Sequence, residues 1–171
     1  MGEAEQRWLV KALKEAGGEL LSQFRYLSDD AARWRLEPDE WCLTEIFGHL
    51  RDMEEWHLKR LSRMLYEHNP HLPEPGFDLQ AWPRERNYAT RPLSTFLREF
   101  STARRETLRQ MWSLDDADWA RTGEHEFRGS VTVLDLAHEL NQHDLQHLWQ
   151  ARAVIRGYEE AQGLPAGSIV E

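Results

Sequence analysis

The sequence predicts an all-α protein, a four-helix bundle with one long crossover connection between the second and third long helices. Four long stretches carry apolar side chains at the i, i+3, i+4, i+7 spacing of an amphipathic helix. A proline-rich segment separates the second stretch from the third, and no stretch alternates strongly enough to predict a strand. Because 171 residues can bury one sizeable core, we expect a single domain over residues 1–171.

The first long helix is expected over residues 3–27, where the apolar positions recur at helical spacing. Gly17 and Gly18 interrupt it. Each glycine costs about 1 kcal/mol relative to alanine inside a helix, so a bend or close packing against a neighbour is expected there. Ser28 then caps a short helix that runs toward Trp34.

The second long helix is expected over residues 43–68 and ends before Asn69 and Pro70. Five of the seven prolines fall within residues 69–92, which predicts a long crossover and not a tight turn. In a helical protein such a connection either spans the bundle or covers a site. Three aromatic side chains give this segment apolar surface to pack down: Phe77, Trp82 and Tyr88.

The third long helix is expected over residues 93–112. Ser113 then caps a short helical segment over residues 114–119. Residues 121–130 are polar and contain two glycines, so they are interpreted as a loop in which a little extended structure could form.

The fourth long helix is expected over residues 133–156. It begins at a capping box formed by Thr132 and Asp135 and stops at Gly157. The tail, residues 163–171, has no pattern, and we expect it to be frayed.

Two histidines interrupt the apolar stripe of the fourth helix at positions that should face the core. His143 and His147 are four residues apart, so both side chains project from one side of the helix and can reach the same metal ion. Burying two unpaired imidazoles would cost a few kcal/mol. Their place within the stripe therefore favours a metal site over a chance pair on a helix surface.

The second helix offers two candidates for a third metal ligand. His57 lies nearer the centre of its apolar stripe and His49 lies at the edge beside Met53, so helical phase alone allows either. His138 lies about half a turn away from His143 and should face solvent. The other histidines stand in or beside loops and are expected to be exposed: His68, His71 and His125.

The composition argues against several kinds of partner. The net charge is -9, and no Lys/Arg cluster is free of acidic residues, which argues against nucleic acid. No apolar run approaches the roughly 18 residues of a membrane span. The chain has a single cysteine, Cys42, which excludes a disulfide framework and a thiolate metal cluster. We therefore expect a cytoplasmic protein that acts on small molecules. Apolar surface left over from eight tryptophans favours a homodimer.

Four short motifs occur in a fixed order along the chain. They are WCLTE at residues 41–45, GHLRDME at residues 48–54, TVLD at residues 132–135 and HDLQH at residues 143–147. Together they resemble the DinB/YfiT-like metal-dependent superfamily over nearly the whole chain. The resemblance implies a four-helix bundle that binds one divalent metal. Carried over position by position, it implies the ligands His49, His143 and His147.

Two positions depart from the family pattern. Glu139 stands where many members carry another histidine, and it could orient a ligand, act as a base or be a simple helix-face carboxylate. Cys42 stands where some members carry a serine cap. We interpret Cys42 as a small capping substitute, although a helix N-terminus can also lower a thiol pKa and activate a nucleophile. Neither departure removes an implied ligand.

Three neutral imidazoles would leave a metal its full charge and open coordination positions, which is typical of a catalytic site. The activities that this resemblance implies are those of thiol transferases, of a thiol-dependent isomerase and of hydrolases. Our first hypothesis is a metal-dependent transferase that activates a low-molecular-weight thiol, such as bacillithiol or mycothiol, for attack on an electrophile. A hydrolase that uses a metal-bound water is the second hypothesis. The third is a non-catalytic, stress-related binding module with a structural metal. Zn, Ni, Fe, Mn or Co would suit the ligands.

Overall fold

The computed structural model describes residues 2–76 and 78–169 and confirms the four-helix bundle. None of the helices within these residues is long and apolar enough to cross a membrane. The long helices are α1 (Gly2–Phe24), α3 (Leu43–Tyr66), α5 (Leu93–Trp112) and α7 (Val133–Gln162). The short elements are α2 (Asp29–Arg33), β1 (His71–Leu72), α4 (Trp82–Glu85), α6 (Asp116–Trp119), β2 (Thr122–His125) and β3 (Gly129–Thr132).

Side-chain contacts show that the bundle contains two pairs of parallel helices. Contacts between α3 and α5 advance together along both helices, and so do contacts between α1 and α7. The contacts are Arg51 with Glu99 and Ser62 with Gln110 in the first pair, and Glu5 with His138 and Glu19 with Arg152 in the second. A tight turn joins only antiparallel neighbours, so the connection from α3 to α5 has to run the length of the bundle. This explains the long crossover that the prolines predict.

The crossover, residues 67–92, is attached to α3 and to the segment just before it. Arg60 Nη2 donates a hydrogen bond to the Pro73 carbonyl oxygen at 2.7 Å. Toward the other end of α3, Trp41 Nε1 donates to the Gln80 carbonyl oxygen at 3.1 Å. The crossover is therefore held beside α3 over most of that helix.

The three aromatic side chains of the crossover were expected to pack down. Trp82 packs against the core and Tyr88 is buried, whereas Phe77 lies outside the described residues. Tyr88 packs on Gly48, where a Cβ atom would lie 2.3 Å from the tyrosine ring. Only glycine permits this approach, which attaches the crossover directly beside His49.

The sequence shows no clear strand signal, yet the described residues contain three short strands. Strands β2 and β3 form an antiparallel hairpin, and β1 from the crossover pairs in parallel with β2. Each strand has only two or four residues, too few to show a clear alternation in the sequence. The partner of β1 is also far away along the chain, so no local pattern could predict the pairing.

Helix α7 does not stop at Gly157. It continues to Gln162 and ends at Gly163, which adopts the left-handed conformation with φ of 65°. Gly157 serves packing instead, because a Cβ atom there would lie 2.6 Å from the side chain of Leu36. In the sequence, Gly157 looks like a helix stop, but its role is to let Leu36 pack closely against α7.

Three other boundaries differ from the expectation. Helix α1 ends at Phe24 and α3 ends at Tyr66, slightly earlier than predicted, as is common at fraying helix ends. Helix α6 is capped by Asp115 and not by Ser113. The caps expected at Ser28 and Thr132 are confirmed.

The described part of the tail, residues 163–169, folds against the end of α7. The Glu159 carboxylate accepts hydrogen bonds from the backbone N–H groups of Gly167 and Ile169, at 2.9 and 3.1 Å. Ile169 also packs against the core. These contacts provide local order that the sequence pattern of the tail does not show.

The core consists of two apolar clusters with a polar layer between them. Each long helix contributes apolar side chains to both clusters. The upper cluster includes Phe24, Phe47, Leu50, Phe96, Phe100, Leu148 and Ile155, and the lower cluster includes Leu9, Leu13, Leu61, Met64, Met111, Leu136 and Leu140. Between these positions along the helices lie buried charged and imidazole side chains.

The polar layer contains a buried ion triad. Arg104 of α5 donates two hydrogen bonds to Glu54 of α3 and two to Asp144 of α7, at 2.6 to 2.9 Å. Its Nη1 also donates to the Leu13 carbonyl oxygen at 3.0 Å. A Cβ atom on Gly17 would lie 3.0 Å from that nitrogen, so the close packing expected at the glycine pair occurs at Gly17. Arg104 therefore contacts the other three long helices, so the pairing of its charge depends on how these helices are positioned.

We expect Arg104→Met to lower the free energy of unfolding by about 3–5 kcal/mol, because Glu54 and Asp144 would remain buried without their cation. Arg105→Met is the matched control. Arg105 is the exposed neighbour on the same helix, and its replacement should change stability by about 0.5 kcal/mol or less. Urea denaturation measures both. A loss below about 1 kcal/mol for Arg104→Met would contradict the structural role of the triad.

Candidate metal centre

Three histidines from two antiparallel helices converge beside the polar layer. His49 lies on α3, and His143 and His147 lie on α7. Their candidate ligand atoms all lie within 4.8 Å of one another, and the Nε2 atoms of His49 and His143 are 2.9 Å apart. In the described part of the chain, no other group of three or more His, Cys, Asp or Glu side chains could hold a metal ion. The structure thus brings together the three histidines that the sequence analysis selected.

Local sequence positions the two histidines of α7. The capping box of Thr132 and Asp135 starts the helix, with Thr132 Oγ1 accepting the Asp135 N–H at 3.1 Å. The helix then continues without interruption past both histidines. Because residues four apart share a face, His143 and His147 point to the same side.

Local sequence also positions His49. Cys42 is the N-cap residue of α3, and its backbone N–H donates to the Glu45 carboxylate at 3.0 Å. Arg35 binds the same carboxylate at 2.5 and 2.8 Å. The Cys42 side chain is buried, and burial raises the pKa of its thiol. These contacts support the capping role of Cys42 over that of a nucleophile.

Burial keeps all three imidazoles neutral. It lowers the pKa of His49 to about 3, with a further contribution from the neighbouring imidazole of His147. Burial also lowers the pKa of His143 and of His147. A neutral imidazole has one nitrogen with a free lone pair, which a metal ligand requires.

His147 is held in the tautomer that suits a ligand. Its Nδ1–H group donates to Gln150 Oε1 at 2.7 Å, so Nε2 retains the lone pair. The Trp41 indole stacks on the His147 ring at a centroid distance of 6.0 Å and lies 5.0 Å from the His49 ring. Gln150 and Trp41 therefore restrict the orientation of the imidazole.

The nitrogen spacing fits one divalent ion. Two imidazole nitrogens bound to a tetrahedral zinc ion lie about 3.3 Å apart, given Zn–N bonds of about 2.0–2.1 Å. The separation of 2.9 Å between His49 and His143 is close to this value. The candidate group contains no carboxylate or thiolate, so an ion held there would keep its charge and have positions open to a further ligand.

His57 and Glu139 lie beside the three-histidine group and not in it. The His57 ring centroid is 6.4 Å from that of His143. Nδ1–H of His57 donates to the Met53 carbonyl oxygen at 2.8 Å. Its Nε2 lies 3.7 Å from Glu139 Oε1 and has no hydrogen-bond partner among residues 2–76 and 78–169. Burial alone would raise the pKa of Glu139, but the nearby His57 and Arg128 lower it to about 2.

The remaining histidines are placed as expected with one exception. His138 is exposed, with Nε2 3.1 Å from Glu5 on α1, and His68 and His71 are also exposed. The expectation that His125 is exposed is wrong. It is buried, with Nε2 2.7 Å from a Glu74 carboxylate oxygen. The error follows from the missed strand β2, whose alternation turns His125 inward.

Sequence reasoning missed several residues that surround the site. The ion triad and Arg60 were not selected, although charged residues at positions in phase with an apolar stripe are a usable signal. Gln150 was also missed, although it follows His147 by one helical turn. Trp41 belongs to the WCLTE motif, and only the folded chain shows that it stacks on His147.

Comparisons with known proteins agree with this architecture. A family model described as the DinB superfamily matches residues 12–151. The solved structure of YfiT from Bacillus subtilis superposes with a TM-score of 0.80 at 17% identity, covering 96% of this chain and 91% of that chain. YfiT is described as "a probable metal-dependent hydrolase with an unusual four-helix bundle topology". At this identity the likeness shows the fold. No curated protein matches the sequence.

We expect the purified protein to contain one divalent metal ion per chain, bound by His49, His143 and His147. Elemental analysis should show loss of the metal in His143→Ala, because two imidazoles bind a divalent ion much more weakly than three. His138→Ala is the matched control on the same helix and should keep its metal. Equal metal content in wild type and His143→Ala would contradict this site. Loss in His57→Ala but not in His49→Ala would reassign the third ligand.

We expect the metal-free protein to lose stability as the pH falls from about 6.5 toward 3. Unfolded histidines bind protons near pH 6.5, whereas folded His49 has a pKa of about 3. In this window the unfolded state binds more protons, so acid favours unfolding, by about 1.4 kcal/mol per pH unit for each such histidine.

Urea denaturation in the presence of a chelator, at about pH 7, 6 and 5, measures this slope. His49→Gln should show a shallower pH dependence than wild type, and His138→Gln should match wild type. An unchanged slope in His49→Gln would mean that His49 is not held neutral by burial.

Proposed function

Because this chain belongs to the DinB superfamily, we propose that it is a metal-dependent enzyme whose three histidines hold one divalent ion. The observation that carries this proposal is the convergence of three neutral imidazoles with no anionic side chain among them. An ion bound there would supply a Lewis acid that lowers the pKa of a bound thiol or water. Zn, Ni, Fe, Mn and Co all accept imidazole ligands, so measurement has to name the ion.

The organisation of the core favours a catalytic ion over a structural one. The two apolar clusters of the core do not include the three histidines. The Arg104 triad joins α3, α5 and α7 independently of any metal. An emptied site would therefore leave a folded bundle, whereas a structural metal couples its binding to folding.

We propose a low-molecular-weight thiol as the nucleophile and an electrophilic small molecule as its partner. Three neutral ligands leave the site positively charged, and an anionic thiolate balances that charge well. His49, His143 and His147 would bind the ion. Trp41 and Gln150 would hold His147 in its orientation.

The pKa of Glu139 argues against one of the roles open to it, that of a general base. A general base works best when its pKa is near the operating pH, and the pKa of Glu139 is about 2. Such a carboxylate accepts a proton weakly. We therefore propose that Glu139, which is paired with Arg128, does not act as the base.

A hydrolase is the second candidate. Two observations favour it. The fold neighbour YfiT is described as a probable metal-dependent hydrolase. His57, whose ring lies 6.4 Å from that of His143, has no hydrogen-bond partner for Nε2 among the described residues. Because Nδ1 of His57 donates to Met53, its Nε2 has the lone pair needed to accept a proton from an attacking water.

We also propose that the protein forms a homodimer. Several large aromatic side chains are exposed on the bundle, including Trp8, Tyr66, Trp112 and Trp149. Apolar surface of this kind is common where helices of two copies pair. The three-histidine site lies within one chain and does not depend on this pairing.

The Co(II)-substituted protein should show a sulfur-to-metal charge-transfer band when a small thiol is added. His147→Ala should lose the band, because it removes a ligand. Cys42→Ala should keep it, because Cys42 stands at the N-cap of α3 and is not among the candidate ligands. Absorption spectroscopy with a panel of small thiols measures both outcomes.

The alternative functions give different results in the same samples. No response to any thiol, together with hydrolysis of esters or amides, would favour the hydrolase. No response to thiols and no hydrolysis, with a metal-free protein that melts far below the metal-bound one, would favour a structural metal in a binding module.

A further inference from the structure

Arg60 on α3 is a buried cation with unsatisfied hydrogen-bond donors. The residue is 3% exposed. Its Nη2 donates to the Pro73 carbonyl oxygen at 2.7 Å, but Nε and Nη1 have no partner among the residues that the structure describes. Buried guanidinium groups are normally fully hydrogen-bonded, because an unmet charged donor has lost its water without replacement.

The carboxylates near Arg60 are already bound to other groups. Glu74 Oε1 is 3.6 Å from Arg60 Nη2, beyond hydrogen-bond distance, and lies 2.7 Å from His125 Nε2. Glu139 is paired with Arg128 at 2.5 Å. Neither carboxylate therefore completes the hydrogen bonds of Arg60. Burial accordingly lowers the pKa of Arg60, and the attraction of Glu74 does not offset it.

Arg60 lies about three helical turns after His49 on α3. It follows His57 by three residues and Trp56 by four, so the three side chains share one face of α3. The Arg60 guanidinium carbon lies 3.3 Å from the Trp56 ring centroid, so the side chain points back along α3 toward His49. The helix rises by about 10 Å between His49 and Trp56. A small molecule of that length could span the two positions.

This region is open to solvent at its outer edge. The side chains of Glu74 and Glu139 are 31% and 30% exposed, and that of Arg128 is 46% exposed. All three act electrostatically on Arg60. A ligand that entered between these three side chains would reach Nε and Nη1 of Arg60, the guanidinium nitrogens without a partner among the described residues.

We propose that Arg60, stacked on Trp56, binds a carboxylate of the substrate whose other end reaches the three-histidine site. A guanidinium binds a carboxylate through charge-assisted hydrogen bonds, and the aromatic ring holds it in place. The inference rests on the proposed function, because it names the class of molecule that the metal centre receives: a small acid about 10 Å long.

The test uses the full-length Co(II)-loaded protein and two thiols of equal length. 6-Mercaptohexanoate carries the carboxylate, and 6-mercaptohexanol carries a neutral hydroxyl in its place. Dissociation constants come from the charge-transfer band. Wild type should bind the acid at least about tenfold more tightly than the alcohol. Arg60→Met should bind the two equally.

Arg63→Met is the matched control and should keep the preference. Arg63 also ties α3 to the crossover, through a hydrogen bond of 2.6 Å to the His71 carbonyl oxygen. Its other donors bind Glu67 at the exposed end of the helix. If Arg60→Met does not fold, Arg60→Lys replaces it. Arg60→Lys retains the charge, and loss of the planar guanidinium should weaken the preference severalfold.

A second measurement separates this inference from the thiol chemistry. Calorimetry with metal-free protein compares hexanoate with hexanol, and wild type should prefer hexanoate while Arg60→Met should not. If neither thiol gives a band but this preference is found, the thiol hypothesis fails and the carboxylate site stands. If neither measurement shows a preference that depends on Arg60, the proposal is overturned and water satisfies the guanidinium.

Discussion

The hydrogen bonds of Arg104 to Glu54 and Asp144 are the interaction on which the rest of this structure depends. Three charges removed from water are tolerated only when nearly every donor and acceptor is paired, so the triad allows little sliding of α3, α5 and α7. Asp144 adjoins His143, and Glu54 lies one turn from His57. The triad therefore sets the register in which the histidines of α3 and α7 meet.

The polar layer also explains why the three-histidine site lowers the stability of the metal-free protein in acid. Burial keeps His49, His143 and His147 neutral and places their nitrogens together. Acid then favours the unfolded chain, as linkage requires. The apolar clusters on either side supply stability that does not depend on the histidines. The two apolar clusters and the Arg104 triad thus stabilise the fold, and the three histidines provide the site for metal chemistry.

The parallel arrangement of α3 and α5 brings the crossover to the site. A connection that runs the length of the bundle has to pass along α3, and it is attached at Arg60 on one side of the histidines and at Trp41 on the other. Among the described residues, His57 and Arg60 of α3 have buried polar atoms without a hydrogen-bond partner. Topology therefore places unsatisfied donors and acceptors where a small molecule could meet them.

The sequence by itself determined four amphipathic helices, the caps at Ser28 and Thr132, the crossover and the shared direction of His143 and His147. All of these depend on residues within a few positions of one another or on proline content, so periodicity and local hydrogen bonding predict them. Helical phase left His49 and His57 equal, and family resemblance favoured His49. Only the tertiary structure placed His49 in the group, turned His125 inward and left Arg60 Nε and Nη1 without a partner among the described residues. Those outcomes follow from the register between helices and from pairing across distant segments, which no local pattern encodes.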